Sequence, residues 1–255
     1  MITCKNCSNK FEGNFCNQCG QKARTDKINF KYVLNEIGAS VLQVDRGIIF
    51  TIKELFTRPG HSIRAYLEGK RVNHYRAISF LLVTSTIYAL VAYWLGEKTI
   101  LSDTVDGMVS GLTDDGKDQM LESSYFILLL KWLVAHPSYF ALVLFPFFSF
   151  ASYIAFINFG YNYFEHLILN AYLTGLQAII YTFFIPITSI FGDTYLVAGT
   201  QLFLGTMATF WMYSQFFKDT SLWVKILLTI LSYILYFLLI SILMFVFFGI
   251  NEILH

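Results

Sequence analysis

Five long stretches that are nearly free of charge constrain this chain more than any other feature. They lie at 77–96, 138–159, 167–191, 194–217 and 224–250, and apart from Lys225 at the start of the last run none holds an Asp, Glu, Lys or Arg. Crossing a bilayer core takes about 20 apolar residues at a rise of about 1.5 Å each. A single ionised residue at mid-membrane costs a few kcal/mol, so the near-absence of charge is part of the signal. Charged residues make up 14% of the chain against roughly 25% in soluble domains. That is too few to clothe an aqueous surface, which excludes a soluble enzyme and a disordered tail. The expected fold is an all-α polytopic membrane protein of about five transmembrane helices.

Segment 124–135 is shorter, carries Lys131, and is followed by His136 and Pro137. It reads as an interfacial or re-entrant helix, with a sixth span as the rival, and Pro137 is placed to open the second span. Residues 1–76 are a different material: 13 Lys and Arg stand against 6 Asp and Glu, with no run long enough to span. Lys70, Arg71 and Arg76 directly precede the first run, the 97–123 loop is acidic, and Lys218 and Lys225 flank the last turn. The positive-inside rule then puts the N-terminal region in the cytoplasm and, with five spans, the C-terminus outside. MITCKNCSNK has no apolar core of a cleavable leader, so the first span is expected to be an uncleaved anchor.

All four cysteines fall in one short segment as Cys4-x2-Cys7 and Cys16-x2-Cys19. Two such knuckles aim four thiolates at one tetrahedral ion. Zinc is the expected metal, with iron open on spacing alone, and a reducing compartment disfavours disulfides. Four thiolates leave no position for a catalytic water, so the site reads as a structural staple of a ribbon over 1–24, with Phe11 and Phe15 as its packing. The ribbon is expected to dock either a partner or the protein's own cytoplasmic face.

Between ribbon and membrane, 25–76 shows helical period. Phe30, Val33, Leu34, Ile37, Val41 and Val44 recur on one face with Lys31, Asn35 and Glu36 on the other. Ile48, Ile49, Ile52, Leu55 and Phe56 repeat the pattern after Asp45-Arg46-Gly47. Arg58-Pro59-Gly60 reads as a breaker, and Ser62 as N-cap of a short helix ended by Gly69. Basic amphipathic helices beside a first span suit anionic headgroups. Arg58, Arg64, Lys70, Arg71 and Arg76 are the candidate lipid, phosphate or partner contacts.

In the 77–255 body, Pro146 and Pro186 sit inside runs, and Gln177 and Gln201 are suited to interhelical hydrogen bonds. Glu165 and His166 form the candidate buried polar pair, read first as a helix-end cap and alternatively as a proton relay or metal half-site.

The cysteine ribbon, Arg58-Pro59-Gly60, Tyr66-Leu67, Gly69-Lys70-Arg71 and Glu165-His166 together resemble an uncharacterised bacterial membrane family common in Bacteroidota. The resemblance implies a bacterial inner-membrane location and imports no activity. A looser similarity is to Yip1-type proteins, which share a cytoplasmic N-terminal region and five spans. The favoured function is a non-enzymatic adaptor or organiser that binds a protein partner, a second copy or anionic lipid. The alternative is a transporter, channel or lipid-moving protein for a hydrophobic or neutral substrate. An intramembrane enzyme using Glu165, His166 and His136 ranks last, and nucleic acid is not an expected partner.

Overall fold

A computed structural model describes residues 1–25, 27–39, 47–95, 132, 137–191 and 195–254. The acidic 97–123 loop, the 124–135 segment except Trp132, His136, Val41, Val44, Asp45 and Arg46 lie outside the described residues. A two-stranded hairpin, β1 (Ile2–Thr3) and β2 (Lys10–Phe11), opens the chain. Three short helices follow: α1 (Phe30–Ala39), α2 (Gly47–Thr57) and α3 (Pro59–Glu68). The body consists of α4 (Ala77–Leu95), α5 (Pro137–Ala155), α6 (Tyr163–Phe191), α7 (Tyr195–Phe216) and α8 (Leu222–Leu254).

Among the described residues, three helices are long and apolar enough to cross a membrane: α4, Tyr163–Ile187 of α6 and Leu222–Leu243 of α8. The other two expected spans are helical as well. The described apolar stretch of α5 is the shorter Leu142–Ala155, and α7 carries Gln201 and Gln215.

Helix α6 is the centre of the bundle, packed on α4, α5 and α7, while α8 lies outside against α5 and α7. Gln177 of α6 donates to the Gly205 carbonyl and the Thr209 hydroxyl of α7, at 3.0 and 3.3 Å. It therefore makes the interhelical hydrogen bonds expected of it. One end of the bundle collects the end of α5, the start of α6 and the end of α7. There Phe156 stacks on Phe217 with ring centroids 3.8 Å apart, and Asn162 donates to the Ile28 carbonyl at 3.2 Å. The ribbon and α1–α3 sit at this same end.

One local expectation holds and one changes. The helix does break at Arg58-Pro59-Gly60, where α2 ends at Thr57 and Arg58 leaves the helical region. But α3 starts earlier than expected, with Pro59 in its first turn, because a missing N–H costs nothing where the helix has no acceptor for it. Ser62 is then inside the helix, its hydroxyl 2.8 Å from His74 Nε2. Gly69 does end α3, in the left-handed region at φ +108°, where a side chain is strained.

Helix α1 is also rotated from its expected face. Val33 and Glu36 point inward, while Phe30 and Leu34 are exposed. Glu36 is only 3% exposed because its Oε1 accepts the Ile78 N–H at 3.0 Å, at the first turn of α4, where N–H groups have no intrahelical acceptor. Helix α2 turns Gly47, Thr51 and Leu55 inward and leaves Ile49 and Phe56 exposed. Thr51 Oγ1 accepts the Tyr75 N–H at 2.7 Å.

Candidate metal centre and the platform beneath it

The four Sγ atoms of Cys4, Cys7, Cys16 and Cys19 lie within 4.8 Å of one another. The Cys4–Cys19 and Cys7–Cys16 separations are 3.6 Å each. A tetrahedral ion with metal–sulfur bonds of about 2.3 Å sets ligand sulfurs about 3.8 Å apart, so the cluster fits an ion with little change. Each knuckle closes on its own backbone: Ser8 N–H donates to Cys4 O at 2.9 Å and Gly20 N–H to Cys16 O at 2.8 Å. Burial opposes ionisation of Cys16, but the N–H groups of Cys19 and Gln18 overcome it and bring its thiol down to about 6. Cys7 is favoured as thiolate by the Asn9 N–H, yet burial and the other sulfurs push it up to about 12. Four sulfurs this close do not all ionise unless a cation stands between them. The cluster could hold a metal ion, and its geometry suits zinc and iron alike. Phe11 is buried against the cysteines, whereas Phe15 is 57% exposed and contributes little packing.

The ribbon is seated on the turn between α3 and α4. Gln21, buried and two residues past Cys19, uses both ends of its amide there. Its Nε2 donates to the Gly69 carbonyl at 2.8 Å, and its Oε1 accepts the Arg71 N–H at 3.3 Å. Lys5 Nζ donates to the Thr25 carbonyl at 3.3 Å. A Cβ on Gly69 would stand 2.6 Å from Thr25 Oγ1, so this glycine is needed for close approach as well as for its φ.

The candidate cations occupy unlike positions. Arg58 is exposed and forms a fork with Glu54, Nε–Oε2 2.8 Å and Nη2–Oε1 2.9 Å. Lys70 is exposed and Arg76 half-buried. Arg71 lies over the rings of Tyr32 and Tyr66, 4.7 and 5.4 Å from their centroids, with Nε donating to the Tyr66 carbonyl at 3.0 Å. Arg64 departs from the expectation: it is 7% exposed, and its Nη1 donates to the carbonyls of Gln215 and Phe216, the latter at 2.7 Å. It serves the last turn of α7, whose carbonyls have no intrahelical donors. Gly60 lets α3 approach this turn, since a Cβ there would collide with the backbone of Gln215 and Phe216.

Glu165 and His166 are both buried but act separately. Glu165 Oε2 accepts the Asn162 N–H at 2.8 Å while Glu165 N–H donates to Asn162 Oδ1 at 3.0 Å, a reciprocal cap at the start of α6. His166 Nδ1 lies 2.9 Å from Ser152 Oγ. Asn170 Nδ2 donates to the same Oγ at 3.0 Å, and Tyr213 donates to Asn170 Oδ1 at 2.7 Å. His136 lies outside the described residues.

Fold and site together define a predominantly helical protein with, among the described residues, three helices long and apolar enough for a bilayer and a four-cysteine cluster mounted on one end. Residues 45–89 match a family described as protein of unknown function (DUF3667). The similarity covers α2, α3 and most of α4, the segment on which the ribbon sits, and not the cysteines themselves. No curated protein and no solved structure matches the chain.

Proposed function

We propose that this chain is a non-enzymatic, five-span protein of the bacterial inner membrane, with N-terminus cytoplasmic and C-terminus outside. Its zinc ribbon and basic helices organise the cytoplasmic face and bind anionic lipid there. The observation that carries this reading is the surface of α1–α3. Along the chain, exposed Phe30, Leu34, Ile49 and Phe56 stand among exposed Lys31, Lys53 and Arg58, with exposed Lys70 on the turn after α3. Apolar side chains interleaved with cations suit the headgroup boundary of an anionic leaflet. A protein partner or second copy would meet this same surface, because the ribbon's Gln21 is already used on the protein's own body. Ser152 and His166, a hydroxyl–imidazole pair within the bundle, are fully buried, and the hydroxyl also binds Asn170. That arrangement suits packing better than nucleophilic chemistry.

The test is native mass spectrometry of full-length protein released from micelles containing phosphatidylglycerol and phosphatidylcholine. The wild type is expected to retain phosphatidylglycerol preferentially, and Lys31→Glu/Lys53→Glu/Lys70→Glu to lose that preference at unchanged thermal stability. Equal retention of both lipids by both proteins would sink the lipid reading. Metal analysis of the same samples is expected to give one zinc per chain.

A further inference from the structure

The metal centre and the first membrane helix are joined by one continuous set of contacts, and Gln21 is the link between them. Its main-chain carbonyl accepts the Cys16 N–H at 2.8 Å, so its position is dictated by the second knuckle. Its side chain holds both Gly69 and Arg71. Arg71 in turn covers Tyr32 and Tyr66, whose hydroxyls meet at 2.6 Å. Tyr66 packs edge-on to Tyr172 of α6 with centroids 5.5 Å apart, and Tyr172 donates to the Tyr75 carbonyl at 2.6 Å, two residues before α4.

We infer that metal in the four-cysteine site latches the ribbon onto the α3–α4 turn through Gln21, so that metal loss undocks the ribbon and frees that turn. The inference rests on the metal-site reading. Apart from the cysteines, the ribbon has two strands of two residues and a core of little more than Phe11. Modules this small take most of their folding free energy from the ion. Without it the second knuckle stops fixing Gln21, and both hydrogen bonds to the turn go together. The α3 cap does not depend on the ribbon, since Gly69 N–H donates to Tyr66 O and Lys70 N–H to Ala65 O, at 3.1 and 2.9 Å. Three adjacent amides therefore report separately on latch and cap.

The experiment is residue-resolved hydrogen exchange on full-length protein in detergent. It compares metal-loaded wild type, wild type stripped by chelator with thiols kept reduced, and Gln21→Ala. Stripping is expected to speed exchange of the Arg71 amide roughly tenfold while Gly69 and Lys70 change little. Gln21→Ala is expected to do the same at Arg71 with its full complement of metal. An unchanged Arg71 amide after stripping, or equal acceleration at all three amides, overturns the latch. A loaded Gln21→Ala protein that keeps Arg71 protected overturns the role of Gln21. A chain that takes up no metal overturns the site assignment along with the latch, which separates the two failures.

Discussion

Replacing Arg64 by Met separates a membrane-facing arginine from a helix clamp. The guanidinium is buried and donates to the carbonyls of Gln215 and Phe216 at the end of α7. Hydrogen bonds to a charged group contribute about 1.5–3 kcal/mol each, and a cation at a helix C-terminus adds about 0.3–1 kcal/mol. Met fills similar volume and recovers the desolvation of the charge, which in buried settings costs several kcal/mol. The net expected loss is roughly 1–3 kcal/mol. At about 2–4 °C per kcal/mol for a chain of this size, Tm in detergent should fall by about 5 °C. Arg64→Lys keeps the charge without the planar guanidinium and should fall in between. Retention of phosphatidylglycerol should not change in either variant. An unchanged Tm with loss of lipid retention would refute the clamp and restore Arg64 to the membrane surface.

Two further perturbations probe the platform. Burial pushes the Glu36 carboxyl up to about 7, against the Ile78 N–H and the Arg76 and Arg71 charges that favour its ionised form. The folded protein therefore holds this proton above the unfolded value near 4.5, so stability contributed by Glu36 is complete below that value and is lost as pH rises toward 7. Glu36→Gln should remove the decline between those limits and gain up to about 3 kcal/mol at pH 8, at about 1.4 kcal/mol per unit; parallel denaturation curves for the two proteins would rule this out. Gly60→Ala should destabilise by about 1–3 kcal/mol through backbone overlap with α7, offset by about 1 kcal/mol of helix propensity. Gly199→Ala, with open space around its Cβ, serves as the control and should be neutral or stabilising by thermal unfolding.

The features legible in the sequence are those set by local pattern. Apolar runs mark α4, α6 and α8, and cysteine spacing marks the cluster, because length and ligand spacing act within a few tens of residues. Arg58-Pro59-Gly60 reads as a breaker because proline is both a helix breaker and a favoured first residue, and only the Phe216 backbone packed on Gly60 explains the glycine. Glu36 and Arg64 have the sequence context of solvated charges. Their burial is decided by partners 42 and 152 positions away, Ile78 and Phe216, which no periodicity encodes. Gln21 carries no signal beyond its place after the second knuckle. Its role depends on the Gly69–Arg71 turn, which lies far along the chain.

Burial in the bundle also has to be weighed against its solvent. Helix α8 exposes Leu227, Ile234, Phe237, Leu238, Phe245 and Val246, and soluble monomers rarely expose contiguous apolar patches of more than a few hundred Å². In water this helix would drive aggregation, whereas in hydrocarbon the same surface costs nothing. Association of α8 with the body must then come from packing and polar contacts rather than from apolar burial. The structure supplies them: Tyr233 OH lies 2.8 Å from Thr209 Oγ1, its ring and that of Tyr236 pack on Phe148 at 5.2 and 5.5 Å, and Lys225 Nζ donates to the Ser214 carbonyl at 2.9 Å. In a bilayer, these polar and ring contacts of α8 with α5 and α7 would be the adhesive of the bundle. At the ribbon end, Gln21, Glu36 and Arg64 act differently. They tie the platform formed by the ribbon and α1–α3 to turns and helix ends whose backbone groups would otherwise lack partners.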